Sequence, residues 1–520
     1  MPVRPLARSQ TWLLPPSLDD LVPDDHSARY AALFVDALKP ADWAELGVLP
    51  DGEVEGAPGY HPRLLLSVWL FGFMIGVRSC RKLEAACRDQ LPFLWLTACQ
   101  RPDHNTLWRF YRLHRNGMRR RLKRTVRTAV KMGLVDLAVQ AVDGTRVAGN
   151  AARERSLNQK QLEGLLERTD AAITALEAQN AAEDGQPGPV RLPKELKREQ
   201  ALRERVKEAL AEVKAEERTP EGEGEGENPG GPEAEAAEPA AGPSQAAPER
   251  KRKRVNLTDR EAVLVRTRQG VAAGYNAQAM VSPLDEKAAG VRGRLITAAE
   301  VVAQAHDYDQ LVPMLAAAEE NLGQRAGMSL ADGGYHSGEN LRACEERGQR
   351  VLLAEAQGRR LENPYHKDRF AYDEERDTYR CPAGQELSFR GERVRKGQAG
   401  VRVYRGSAEV CRSCPAFGAC TKDGKQGRAI EVGPDDAALR RHRAVMATKE
   451  AREQYRQRKV LPEPVFGEVK ERMGMRRLLL RGLEGVRAEW SLVATAFNLR
   501  TLVRVWRRWT PERRVQLAGV

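Results

Sequence analysis

The feature that most constrains the fold is an α/β pattern broken twice. Leu137, Val139 and Ala141 alternate with residues of an opposite face, as a strand requires, and the run closes on Asp143 and glycine in AVQAVDGTRVAGN. Strand signal returns only at GYNAQAMVS and GRLITAAEVV. It is followed by a helix at DQLVPMLAAAEENLG, a strand at MSLAD, a helix at SGENLRACEERG and a strand at RVLLAEA. Strands interleaved with helices on both sides of an interruption predict one α/β core whose parts meet only on folding.

The first interruption changes character along its length. QLEGLLERTDAAITALEAQ and LPKELKREQALRERVKEALAEVKAEE predict a helical hairpin or coiled-coil excursion. From Glu221 to Ala240 there are seven Glu and no Lys or Arg, with Gly and Pro throughout, so this stretch has too little apolar surface to order itself. The run RKRKR, Arg250 to Arg254, reads as a solvated charge run, with a tethered phosphate contact as the alternative. The second interruption, about 360 to 425, carries Cys381 in CPAGQEL and Cys411, Cys414 and Cys420 in CRSCPAFGAC. A CxxC flanked by two further cysteines among glycines and prolines predicts a Cys₄ zinc site, with reduced, unliganded thiols as the alternative. Cys80, Cys87, Cys99 and Cys344 stand singly and read as free buried thiols; eight cysteines so placed in a chain this long do not suggest a secreted disulfide framework.

Ahead of the α/β pattern the chain reads as helical to about residue 133. LLLSVWLFGFMIGV, Leu64 to Val77, is bracketed by Arg63 and Arg78; it is too short to span a bilayer and predicts a buried helix. After it, Asp103 or Asn105 can cap a long basic helix bearing Arg109, Arg112, Arg115, Arg119, Arg120, Arg121, Lys123, Arg124 and Arg127. Such a helix suits phosphate contacts in a helix-turn-helix-like DNA-binding unit, and equally a solvated basic face on a packing helix. A net charge of +13 and a pI near 9.4 favour a polyanionic partner, with a basic ribosome-associated or merely soluble protein as the alternative. The N-terminus has no continuous apolar run before its prolines, which predicts an unexported, cytoplasmic protein, nucleoid-associated when bound to DNA.

Asp143, Asp332 in MSLADGGYHSGEN and Glu463 in YRQRKVLPEPVFGEVKERMG supply the chemistry. Each aspartate closes an apolar run and is followed by glycine, which presents a carboxylate at a strand end; Gly333 and Gly334 also leave room for a phosphate backbone. Carboxylates converging from distant parts of a chain suit two Mg²⁺ or Mn²⁺ ions, which leave coordination positions for substrate phosphates. These residues predict metal-dependent phosphoryl transfer on a nucleic acid.

Several blocks in order resemble the DDE-type insertion-sequence transposases, most closely the branch typified by insertion sequence eleven-eighty-two. HPRLLLSVWLFGFMIGVRSCRKLE and PDHNTLWRF are similar to the family's N-terminal domain, and VDGTRVAGNA, GYNAQAMV, ADGGYHSGENL and EPVFGEVK to its catalytic blocks. The resemblance implies a ribonuclease H-like mixed-sheet α/β core with helical and cysteine-bearing insertions, preceded by an all-α N-terminal domain. The implied boundaries are a helical DNA-binding domain at 1–133, core at 134–155, a charged helical and acidic insertion at 156–255, core at 256–360, the cysteine-bearing insertion at 361–430, and a helical end carrying the third acid at 431–520. It implies Asp143, Asp332 and Glu463 as the catalytic acids and metal ligands. Tyr455, Arg458 and Lys470 then supply the family's Tyr, Arg and Lys at the DNA, although four residues rather than three separate Arg458 from Glu463. It further implies terminal inverted repeats and target DNA as substrates and a homodimer or higher assembly. A metal-dependent nuclease or resolvase on the same fold, and an inactive DNA-binding derivative, are the alternatives.

Overall fold

The structure, a computed structural model, describes residues 17–48, 59–183, 194–218, 254–355, 363–394 and 400–510. The leading segment, the acidic stretch from Glu221 to Ala240 and all of RKRKR but Arg254 lie outside the described residues.

Seven helices come first: α1 (Ser27–Asp36), α2 (Pro40–Leu46), α3 (Pro62–Met74), α4 (Cys80–Asp89), α5 (Leu91–Leu96), α6 (His104–Arg119) and α7 (Arg121–Lys131). Prolines open α2 and α3, where a missing N–H costs nothing. Every residue of α3 from Leu64 to Met74 is buried, the place predicted for the long apolar stretch. The basic segment is not one helix. It breaks at Arg120, and Gly117 explains the geometry: a Cβ there would lie 2.5 Å from the Leu46 Cα, so α2 packs directly on the glycine.

Strand β1 (Gln140–Ala148) follows, then the two-residue strand β2 (Ser156–Leu157) and the helices α8 (Gln159–Glu183) and α9 (Lys194–Arg218), which pack on each other around Leu162, Val206 and Val213. The chain returns through β3 (Val255–Asn256), which pairs with β2, then β4 (Val263–Thr267), β5 (Gly270–Pro283), α10 (Glu286–Ala289), β6 (Arg294–Val302), α11 (Leu311–Leu322), β7 (Ser329–Ala331), α12 (Gly338–Glu346) and β8 (Val351–Leu353). The main sheet runs β4-β5-β1-β7-β8, with β6 also on β5. Strands β4, β1 and β6 pair antiparallel with β5, whereas β1, β7 and β8 are parallel, so the sheet is mixed.

The cysteine-bearing segment forms its own antiparallel sheet: β9 (Ala371–Asp373), β10 (Thr378–Arg380), β11 (Glu386–Arg393) and β12 (Val401–Gly406), then the short helix α13 (Ala408–Arg412) and β13 (Ala429–Val432). Helices α14 (Asp436–Ala447), α15 (Lys449–Tyr455), α16 (Gln457–Val460), α17 (Pro462–Glu471) and α18 (Leu483–Trp506) end the described chain. Helix α18 lies between β6 and the helices α3, α6 and α7. One buried cluster therefore runs from Tyr30, Trp69 and Phe71 through Trp490 and Phe497 to Ala141, Tyr275 and Ile296. On the other sheet face α11 and α12 bury Leu311, Met314, Leu341 and Cys344 against Val142, Met280 and Ala331. No helix among the described residues is long and apolar enough to cross a membrane.

Candidate active site

Asp143 does not end its strand. Strand β1 continues to Ala148, and Asp143 stands in mid-strand opposite Ala279 of β5. Gly144 forms no turn either. A Cβ at Gly144 would fall 2.4 Å from an Asp307 oxygen and 2.5 Å from the Gln278 amide nitrogen, so glycine keeps the strand while admitting polar side chains across it. Asp332 meets its expectation: it follows Ala331, the last residue of β7, and accepts the Gly334 N–H at 2.9 Å. Because β1 and β7 are adjacent parallel strands, the two carboxylates come side by side.

Arg458 of α16 joins them. Its guanidinium is 3.0 Å from Asp143 and 3.4 Å from Asp332, with Arg458 13 % and Asp143 15 % exposed. Burial pushes the Asp143 carboxyl up to about 7, despite the opposing charge of Arg458, and the Asp332 charge adds to the rise. Burial likewise raises Asp332 against the pull of Arg458. Burial also works against the charge on Arg458, but Asp143 and Asp332, with a smaller share from Glu463, outweigh it and hold the guanidinium protonated. Glu463 lies in the first turn of α17 with Pro464 beside it, and is exposed. Two of the three acids, from β1 and the end of β7, thus meet on one cation, while Glu463 of α17 acts on it only through its charge.

The neighbouring residues fix that arrangement. Tyr455 donates its hydroxyl to the Ala331 carbonyl at 3.1 Å, tying the end of α15 to the strand that presents Asp332. Lys470, in the last turn of α17, hydrogen-bonds Thr145 two residues along β1 from Asp143, and burial lowers its pKa. Arg109 and Arg112 are not part of this cluster; both are exposed on α6. The four cysteines of the second sheet stand together elsewhere and line a separate cavity of about 210 Å³. All eight cysteines are free; Cys87 and Cys344 are buried as expected, but Cys80 is only half-buried and Cys99 is exposed, with φ +61 in the turn after α5.

Sequence reasoning missed a second polar layer. Asp307 accepts hydrogen bonds from Asn276 (2.7 Å), Gln278 (2.6 Å) and Arg146 (3.1 and 3.0 Å), and Gly334 packs close to it. The buried Tyr335 hydroxyl bonds the other end of Gln278. The signal was present in GYNAQAM: Asn276 and Gln278 are polar at alternating positions of the buried stretch of β5 from Ala273 to Ser282, and such residues demand partners.

Carboxylate oxygens are hard donors suited to Mg²⁺ or Mn²⁺, and the pocket between Asp143 and Asp332 already accommodates positive charge in the form of Arg458. As placed, no group of three or more His, Cys, Asp or Glu side chains among the described residues stands ready to hold an ion. The donors fit a divalent cation, provided that Arg458 withdraws.

The family described as "Transposase DDE domain" matches residues 380–503, from the second sheet through Glu463 into α18. The family described as "Transposase domain (DUF772)" matches residues 16–113, covering α1 to α5 and much of α6. No curated protein matches the chain. Asp143 and Asp332 precede the first of these matches, and the geometry brings them to the matched part through Arg458. Together the two matches indicate a DDE-type insertion-sequence transposase.

Proposed function

We propose that this transposase, of the branch typified by insertion sequence eleven-eighty-two, binds the terminal inverted repeats of its element, cleaves DNA there and joins the freed ends to target DNA. Asp143, Asp332 and Glu463 would hold the metal. The observation that carries this reading is the meeting of Asp143 and Asp332 on the Arg458 guanidinium, within reach of the Glu463 charge. The mixed order of the main sheet, with three antiparallel pairings on β5 and two parallel pairings from β1 through β7 to β8, supports a ribonuclease H-like core.

Two divalent cations bound among these carboxylates would supply Lewis-acid stabilisation to both the attacking and the leaving oxygen of an in-line displacement. The chain's own residues do the rest. Gly144 and Gly334 N–H groups hold one oxygen of each aspartate in place, leaving the other directed at the cationic position. Tyr455 fixes the end of β7, and Lys470, hydrogen-bonded to Thr145 of β1, would meet a phosphate. Arg458, released from the aspartates, would pair with the DNA backbone.

A labelled, pre-cleaved element end incubated with supercoiled target and Mg²⁺ should yield joined product. Alanine at Asp143, Asp332 or Glu463 should abolish joining while end binding persists. Hydrolysis without joining would replace this reading with a nuclease, and unchanged joining in any one variant would remove that residue from the site. Sedimentation of the protein on paired ends would test the dimer or higher assembly.

A further inference from the structure

We infer that Cys381, Cys411, Cys414 and Cys420 form a structural zinc site that staples the second sheet. The four residues come from separate stretches: the turn between β10 and β11, the helix α13, the turn after it, and the loop leading to β13. All four nevertheless line one cavity.

Backbone N–H groups point at two of the sulfurs. At Cys381 a tight turn closes through Gly384, at φ +80, whose N–H donates to the Cys381 carbonyl at 2.8 Å, and the Gln385 N–H then donates to Cys381 Sγ at 3.3 Å. At Cys411 the Arg428 N–H donates to Sγ at 3.4 Å. N–H groups aimed at sulfur hold each cysteine's orientation, as the outer partners of metal ligands do. As placed, the sulfurs line the cavity without forming a group tight enough to hold an ion. Ligation would draw them to about 2.3 Å from Zn²⁺ in a tetrahedron, displacing the thiol protons to solvent. Residues 413–428 carry only turns and isolated bridges, so Cys414 and Cys420 can make that movement without breaking a strand.

The module also has reason to need a staple. Its core consists of six buried side chains, Phe370, Tyr379, Leu387, Tyr404, Ile430 and Val432, with Cys381 and Cys420 packed against them. A sheet with so small a core gains most of its stability from a cross-link or a metal, and none of these cysteines forms a disulfide. What the module holds in place is visible on its far side. Tyr379 donates to Asp436 of α14 at 3.0 Å, and the Arg440 guanidinium lies 4.1 Å from the Tyr372 ring centre. Asp435, beside Asp436, pairs with Arg342 of α12 at 2.7 Å. A staple at the cysteines would thus steady α14 against the helix that follows Asp332.

Metal analysis of the full chain purified without chelator should find about one zinc per chain. Cys381→Ser and Cys414→Ser should lose it, whereas Cys99→Ser, Cys344→Ser and Asp143→Ala should retain it. Should the serine variants fail to fold, Co²⁺ exchanged into the wild-type chain decides the matter: a tetrahedral tetrathiolate gives intense visible bands and sulfur-to-cobalt charge transfer. A folded chain without zinc that gives no such spectrum with Co²⁺ overturns the inference. So does zinc that survives both serine substitutions. Neither outcome bears on strand transfer, whose failure would leave the zinc content unchanged.

Discussion

Burial makes the charged form of Asp143 costly, and Arg458 returns only part of that cost. Its folded pKa, about 7, lies above the ordinary carboxylate value, so native protein binds more protons here than unfolded protein. The stability associated with this proton is complete below pH ~4 and is lost as pH rises through about 7. Asp143→Asn keeps the shape without the charge. Without divalent metal at pH 8, the variant should be more stable than wild type by roughly 1–3 kcal/mol, a difference that shrinks as pH falls below about 6. Urea titrations at several pH values with chelator present measure this, and a pH-independent difference would refute the assignment. Arg458 gives a second test, because a divalent ion must displace it. Arg458→Gln should tighten Mn²⁺ binding by about tenfold, equivalent to ~1.4 kcal/mol, in calorimetry without DNA, and weaken strand joining. Equal affinity in the two proteins would mean that the guanidinium does not compete for the site.

At the scale of elements, α6 and α7 separate two readings that looked alike in the sequence. Arg121 pairs with Asp42 and Glu45, Arg124 with Asp42, Lys123 with Glu320, and Arg127 caps the α11 end through the Glu320 carbonyl. These charges hold α7 to α2 and α11, so they belong to packing. On α6, Arg115 and Arg119 face Glu484 and Glu300. Arg109 and Arg112 make no ion pair within the described residues, and stand exposed with Trp108 and Leu113. The double variant Arg109→Ala, Arg112→Ala should weaken element-end binding and lower its salt slope by about two, with thermal stability unchanged. Arg124→Ala should destabilise instead, by about 1–3 kcal/mol, because it strips a partly buried Asp42 of a partner. A continuous apolar run revealed α3, and apolar patterning revealed β5, β6, α11 and α12. It could not reveal the break at Arg120, which depends on α2 lying against Gly117, nor the course of β1 past Asp143, which depends on β5 pairing beyond it. The position of Asp332 was legible because a strand end and glycines mark it, whereas Asp143 stands in mid-strand and Glu463 in a helix. Asp307 was not, because its role comes from Arg146, Asn276 and Gln278 meeting across strands.

Across the whole molecule, the helices before β1 and the sheet after it are joined by a charge buried on both sides. Arg78, just beyond α3, contacts Glu489 of α18 at 2.6 Å, with side chains 8 % and 2 % exposed. Glu489 also accepts the N–H groups of Leu479 and Leu480, while Arg78 donates to the Gly474 and Arg477 carbonyls. One residue of α18 therefore fixes the segment after α17 and the N-terminal helices together, and α17 carries Glu463 and Lys470. Removing the carboxylate alone would strand a buried guanidinium, a loss of about 3–5 kcal/mol. Glu489→Ala should accordingly lower the unfolding midpoint of the whole body, because Trp69 and Trp490 share one core. Glu489→Gln, which keeps hydrogen-bonding capacity, should cost less. Fluorescence and far-UV circular dichroism followed together through urea unfolding would check this. Coincident, shifted transitions are expected; a shift confined to one probe would mean that the N-terminal helices and the sheet unfold separately and that this pair does not couple them.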